Sequence, residues 1–166
     1  MNLSLRANEK IYINGAILKF DRKVSLELMN DATFLLETHV IQPDQTTTPL
    51  RQLYFVVQTM LIDPKNAGAA RMLFDRMLMT TICIFEDATV LFGLEHIDRL
   101  IAEERYFEAL KQLRALYPAE AGILASSGQA REPMYEKTVA PMAIVAKRLD
   151  SPKRIDTATR LDSHVA

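Results

Sequence analysis

The sequence has no tryptophan, one cysteine and only five glycines in 166 residues, and each scarcity removes a class of chemistry. A single cysteine permits neither an intramolecular disulfide nor a multi-cysteine metal site. That residue, Cys83, sits in the apolar run Ile82-Cys83-Ile84 with no basic neighbour to lower its pKa, so it reads as a small buried apolar side chain rather than a reactive thiol. Neither Gly-x-Gly-x-x-Gly nor a Gly-Lys-Ser/Thr phosphate loop occurs. The three histidines, His39, His96 and His164, fall in a strand, a helix and the tail, without paired metal-ligand spacing. No serine stands in a nucleophile elbow. Glu95-His96 with Asp98 resembles an acid-base cluster, but helical neighbours one and two apart point to different faces, and the group reads as solvated surface. The chain is expected to be no enzyme and to need no metal or cofactor.

Charge of one sign is also missing. Twenty Lys plus Arg stand against 21 Asp plus Glu, a net charge of -1, so nothing draws the whole molecule to nucleic acid or to an anionic membrane, and any polyanion must be held by a local patch. No apolar run approaches the length of a membrane span, and Met1 to Lys10 lacks a signal-peptide core; the expectation is a cytoplasmic protein without membrane contact. What is present, 49% hydrophobic and 25% charged residues, is the composition of a folded domain.

The most informative stretch is 48–64. Thr48 offers a hydroxyl to the free amides of a first helical turn, Pro49 sits where its missing N–H costs nothing, and Leu50, Leu53, Tyr54, Val57 and Leu61 recur on one face before Asp63-Pro64 ends the helix and starts another. Before this point the period is that of strands. Leu3 and Leu5 make a first run; Ile11-Tyr12-Ile13 and Ala16-Ile17-Leu18 flank Asn14-Gly15, a type I′ hairpin signal; Val24, Leu26 and Leu28 alternate with polar residues; Thr33-Phe34-Leu35-Leu36 and Val40-Ile41 close the set. Five or six short strands joined this tightly must be antiparallel, a small curled sandwich or barrel. A unit of about 40 residues without metal or disulfide is too small to stand alone, so it should pack on the helical part or on a second copy, which makes a homo-oligomer one expectation.

After the second helix, with Ala70, Leu73, Phe74, Met77, Leu78 and Thr81 inward, Asp87 starts a third whose Val90, Leu91, Leu94, Ile97, Leu100 and Ile101 keep the helical spacing through Gly93, a residue that costs about 1 kcal/mol of helix stability and leaves room for a kink or division. The fourth, from Tyr106 to Leu116, is expected to stop at Pro118. The fold class is therefore α+β: an antiparallel β sandwich or barrel over 1–47, a four-helix bundle-like region over 48–124, and a disordered tail over 125–166. That tail is interrupted by Pro133, Pro141 and Pro152 and is locally basic at Lys147, Arg148, Lys153, Arg154 and Arg160.

The candidate binding surface is the polar face of the strand module. Arg6, Lys10, Lys19, Arg22 and Lys23 precede residue 24, opposed by Glu9 and Asp21, and sheets that hold single-stranded RNA use such cations for phosphates and flat side chains for splayed bases. Tyr12 is a candidate stacking ring, and a core ring by its apolar neighbours. A solvated charged face explains the same residues from composition alone. No helix carries the basic face of a major-groove reader.

Read together, the two halves resemble the flagellum biosynthesis repressor FlbT family of alphaproteobacteria over about Leu3 to Leu124. The resemblance rests on Leu-x-Leu-x-x-x-Glu-Lys-Ile-Tyr-Ile-Asn-Gly-Ala at 3–16, Thr48-Pro49 followed by Leu53-Tyr54-Phe55 and Gln58, Asp63-Pro64, and Phe85-Glu86-Asp87. It implies a post-transcriptional regulator, without catalysis, that binds the 5′ untranslated region of flagellin mRNA and promotes its repression or decay during flagellum assembly. It also implies a small flagellar partner of the FlaF type. The opening hairpin is similar in rhythm to the carbon storage regulator family as well, in which an arginine near the first strand, here Arg6, holds mRNA leaders. At the other end of the module, where that family has a second arginine, this chain has Glu37-Thr38-His39. The alternative from another class is a flagellar chaperone or adaptor working through the methionines of the helices, Met60, Met72, Met77 and Met79.

Overall fold

A computed structural model of the chain describes residues 2–30 and 32–126. Five short strands come first: β1 Asn2–Leu5, β2 Lys10–Ile13, β3 Ala16–Lys19, β4 Val24–Glu27 and β5 Phe34–Leu36. They form two antiparallel sheets, β1 with β4 and β3-β2-β5. The hairpin forms as its sequence demands. Asn14 and Gly15 hold φ of 47° and 84°, the left-handed values of a type I′ turn, with Ile13 opposite Ala16. A Cβ on Gly15 would also stand 3.1 Å from Pro64 Cδ, so the hairpin tip lies against the corner after the first helix.

The strands bury two faces. Leu3, Leu5 and Ile11 form a small core of their own, while Tyr12 and Leu35 point the other way and join the core of the helices. Docking on the helical part therefore occurs, and it consumes Tyr12. At 3% exposure its ring is a core side chain and no stacking platform.

Four helices follow: α1 Pro49–Ile62, α2 Ala67–Ile84, α3 Ala88–Ala102 and α4 Tyr106–Ser126. Thr48 caps α1, accepting from the Arg51 N–H, and Asp87 caps α3, accepting from the Val90 N–H at 3.0 Å. Every residue from Leu53 to Ile62 is buried, because α1 lies between α2 and α4 and also touches β5. At about 1.5–3 kcal/mol for each large apolar side chain removed from water, this helix dominates the core. Helix α3 packs on α4, and an Arg71–Asp98 ion pair at 3.2 Å bridges α2 to α3.

Buried polar groups on α1 fix what passes over it. Gln58, fully buried, accepts from the Ile41 N–H at 3.0 Å and donates to the Ile41 carbonyl at 2.7 Å, acting as the strand neighbour that Ile41 lacks. The Tyr54 hydroxyl donates to the His39 carbonyl at 2.7 Å. The expected strand at Val40-Ile41 is thus replaced by a short 3-10 turn, Glu37–His39, and an extended segment held by side chains; His39 belongs to that turn and not to a strand.

Two other expectations, at Pro118 and at Cys83, fail for tertiary reasons. Helix α4 continues through Pro118 to Ser126, taking residues 125 and 126 out of the supposed tail. Pro118 cannot donate to the Arg114 carbonyl, but Glu120 beyond it is buried and bonded to the start of α1, and that anchorage outweighs the break. Helix α3 runs unbroken through Gly93, where a Cβ would lie 2.7 Å from both Leu116 methyl carbons, so the glycine serves close approach of two helices. Cys83 is exposed, because the inward stripe of α2 ends on Thr81 and a residue two positions later points away. Asp63 also differs in detail: it accepts from Asn66 Nδ2 at 2.6 Å in a 3-10 turn, Pro64–Asn66, and α2 begins only after it. The remainder of the expected tail, with its basic cluster and His164, lies outside the described residues.

The α3–α4 corner closes with the Arg105 N–H donating to the Leu100 carbonyl at 2.8 Å and the Glu104 N–H to Ile101 at 3.1 Å, the paired bonds of a Schellman ending. Glu104 occupies its left-handed position at φ 58°, which costs a side-chain-bearing residue about 1 kcal/mol. Glu104→Gly is expected to stabilise the fold by about 0.5–1 kcal/mol despite the greater freedom of glycine in the unfolded chain, read as a higher urea midpoint at unchanged slope. A lower midpoint would contradict the strain.

Candidate nucleic-acid interface

The strand register determines where the five cations go. Lys10 opens β2 and Lys19 ends β3, and the two are direct cross-strand partners. Leu5 pairs with Val24, so Arg6 follows the last residue of that ladder on one strand and Lys23 precedes it on the other. The Asn8 N–H donates to the Phe20 carbonyl at 2.7 Å, tying the 6–9 turn to the 20–23 loop, with Asn8 at φ 65°. All five cations therefore stand at one end of the module. Arg6, Lys19, Arg22 and Lys23 are exposed, and Lys10 is half-buried.

The carboxylates near them are unequal. Glu37 reaches back from the 3-10 turn, accepting from the Lys10 backbone N–H at 2.9 Å with its other oxygen 3.7 Å from the Lys10 ammonium. Glu9 accepts from the Arg6 backbone N–H at 2.8 Å and so stabilises the turn rather than the guanidinium. Asp21 lies 3.8 Å from Arg22, with both side chains almost fully exposed, a pair worth little in water. Like charges directly opposite on adjacent strands repel, and only the Lys10 half of Lys10–Lys19 has a carboxylate beside it. That end is therefore a place where an added anion is favoured.

A second polar locus, which sequence reading missed, lies where α1 meets α4. The buried carboxylate of Glu120 accepts from the Leu50 N–H at 2.9 Å and from the Thr48 hydroxyl at 2.7 Å, binding the start of α1 to a residue 70 positions later. Burial raises the Glu120 pKa, opposed by those two bonds and by Arg51. Beside it the Arg51 guanidinium lies 5.5 Å from the centre of the Tyr117 ring, and Tyr117 stands 6.2 Å from Tyr54. The Tyr117 hydroxyl is buried without a hydrogen-bond partner, and burial raises its pKa. His39 is held below its ordinary pKa by burial and by the nearby charge of Arg114. No sequence signal brings these groups together, since they are divided among α1, α4 and the 3-10 turn at Glu37–His39.

The α3 surface group resolves into ion pairs, Asp98 with Arg71 at 3.2 Å and Glu95 with Arg99 at 3.4 Å, while His96 is exposed. Among the described residues no group of three or more His, Cys, Asp and Glu side chains is placed to hold a metal ion, and no helix is long and apolar enough to cross a membrane.

A small antiparallel module with one cationic end, docked on four helices whose central member is buried from Leu53 to Ile62, is the frame to which comparison with known proteins applies. Residues 1–124 match the family described as flagellar protein FlbT, and the chain belongs to that family. It is 58% identical over 120 residues to the probable flagellum biosynthesis repressor protein FlbT of Mesorhizobium japonicum, covering 72% of this chain and 82% of that one. The protein of the same name from Chelativorans sp. is 50% identical over 137 residues, 82% of this chain and 94% of its own, and that of Brucella abortus (strain S19) is 56% identical over 124 residues, 75% and 82%. These relatives carry the name of a repressor and not of an enzyme. No solved structure matches the chain.

The anchoring carboxylate makes stability depend on pH. A pKa raised by folding gives a stabilising contribution that is full below the unfolded value and lost as pH rises through the folded one. The stability of the native protein relative to Glu120→Gln is therefore expected to improve as pH falls from neutral toward 4.5, and Glu120→Ala, which strands the Leu50 N–H, to cost about 1–3 kcal/mol throughout. Parallel urea midpoints for native protein and Glu120→Gln across that range would remove the linkage.

Proposed function

We propose that this protein is a post-transcriptional, cytoplasmic regulator of flagellin synthesis. It binds the 5′ untranslated region of flagellin mRNA and promotes its repression or decay during flagellum assembly, without catalysis of its own. The family and the repressor names of its relatives support the flagellar pathway. The observation that carries the RNA contact is the cationic end of the strand module, above all the cross-strand Lys10–Lys19 pair, flanked by Arg6, Arg22 and Lys23. Phosphate contacts of this kind give affinity without requiring net positive charge on the whole molecule. In this reading the helices hold the module.

Arg6 and Lys19 are the cleanest pair to remove, because both are exposed and neither side chain supports the fold through a described bond. Changing both to Ala is expected to weaken binding of flagellin leader RNA and to lower the slope of log affinity against log salt by about 1.4, the value for two phosphate contacts on a single strand. An unchanged slope in a filter-binding series would exclude those two residues.

A second reading, a flagellar adaptor acting through protein contacts with a small partner of the FlaF type, is favoured by one observation. Met72 and Met79 on the outer face of α2 are 69% and 65% exposed, and Phe92 on α3 is 71% exposed, whereas Met60 is buried and Met77 half-buried. Met72→Ser with Met79→Ser is expected to leave the unfolding free energy within about 1 kcal/mol of native and to abolish partner binding in a calorimetric titration if the adaptor role holds. Native-like partner affinity in that variant would dismiss α2 as the surface.

A further inference from the structure

Three aromatic rings and two guanidinium groups line one seam that neither the strand register nor the family assigns. Along α4, Phe107, Lys111 and Arg114 recur at i, i+4 and i+7 and so share a stripe about 10 Å long. The chain leaving β5 runs beside that stripe. Phe34 stands 6.3 Å from Phe107 at an interplanar angle of 33°, and farther along His39 feels the charge of Arg114. At the upper end Arg51 of α1 lies over the Tyr117 ring.

The charges of this seam do not balance locally. Its carboxylates are already engaged: Glu37 with the Lys10 N–H, Glu108 with Arg105, and Glu120 with Thr48 and the Leu50 N–H. Arg114 has no carboxylate within ion-pair distance among the described residues, and the hydrogen bond found for the Arg51 side chain is a 3.5 Å contact to the Gln45 carbonyl. The Tyr117 hydroxyl is buried without a hydrogen-bond partner, which costs about 1–3 kcal/mol. Guanidinium forks favour phosphate over other anions, and Phe107, 41% exposed, presents a flat apolar surface of the kind on which a base stacks.

We propose that this seam binds a phosphate group of an RNA backbone through Arg51 and Arg114, with the Phe34–Phe107 pair receiving an adjacent base. The proposal rests on the RNA-binding reading above and extends it: the transcript passes from the cationic end of the strand module along α4. The helices then form part of the contact surface and do more than support the module.

The test uses the full chain with a short single-stranded RNA from a flagellin leader, and separately inorganic phosphate. Arg51→Gln with Arg114→Gln is expected to lower the salt slope of RNA binding by about 0.7, the value for one phosphate on a single strand, and Phe107→Ala to weaken binding about tenfold or more, with unchanged far-ultraviolet dichroism and thermal midpoint as the check on folding. If the slope is unchanged in the double glutamine variant while Arg6→Ala with Lys19→Ala lowers it, the seam is excluded and the RNA reading stands. If the native protein binds no RNA, the RNA reading fails. Inorganic phosphate that then shifts the backbone resonances of 37–39 and 113–117 in native protein, but not in the double glutamine variant, retains the seam as a site for free phosphate; no shift overturns the site as well.

Discussion

Burial of α1 on every side is the constraint from which the other placements follow. A helix with ten consecutive buried residues can have no solvent face on which to leave polar groups, so Gln58, Thr59 and Tyr54 must each find a partner inside the molecule. Thr59 returns its hydroxyl to the Phe55 carbonyl at 2.8 Å. Gln58 and Tyr54 instead reach outward to Ile41 and His39, and in doing so they fix the path of the chain between the strands and the helices. The connector is thus specified by α1 rather than by its own sequence. The first turn of the same helix, lying under α4, would leave the Leu50 amide stranded without Glu120, which explains why a proline two residues earlier does not end α4.

The parts of this fold that were legible in the sequence are those whose cause is local. Asn14-Gly15 predicts its turn because the φ angles required are ones those two residues adopt cheaply, and Thr48 and Asp87 predict helix starts because the acceptor and the amide it satisfies are three residues apart. The α1 stripe at Leu50, Leu53, Tyr54, Val57 and Leu61 was also correct but incomplete, since periodicity marks a face and cannot reveal that the opposite face is covered too. Pro118 and Cys83 were misread for the converse reason, and Gly93 was read as a weak point in a helix it does not break. Each has a strong local meaning, as breaker, weak point and apolar residue in an apolar run, and each is overruled by what lies across from it: Glu120 on Leu50, Leu116 on Gly93, and nothing on Cys83. Val40-Ile41 looked like a strand and is extended, but its ladder partner is a side chain on a helix.

The candidate interface divides in the same way. Arg6, Lys10, Lys19, Arg22 and Lys23 were visible because they crowd the first 23 residues, and the hairpin register then brings them to one end through pairings that the turn itself dictates. Arg51, Arg114 and Tyr117 were invisible, being an ordinary exposed arginine and two side chains on a helix 60 residues later. Their association exists only once α1 and α4 are packed. The methionines give a third case. Periodicity could not separate core from surface among Met60, Met72, Met77 and Met79, yet the packing of α1 with α2 buries Met60 and part of Met77 and leaves the other two in water.

A chain with net charge -1 can still hold a polyanion if its negative charges are spent internally and its positive charges are not. Here Glu37, Glu9 and Glu120 all accept from backbone amides: they act as structural acceptors at a turn, at a strand entrance and at a helix start. A carboxylate so engaged contributes less field to the surface than its formal charge suggests, because the donors around it are dipoles aimed at it. Arg6, Lys19 and Lys23 have no such role, and nothing in the fold would be lost if a phosphate met them. Formal neutrality in the sequence therefore coexists with a local excess of uncommitted cations, and it is their commitment rather than their number that distinguishes a binding face from a solvated one.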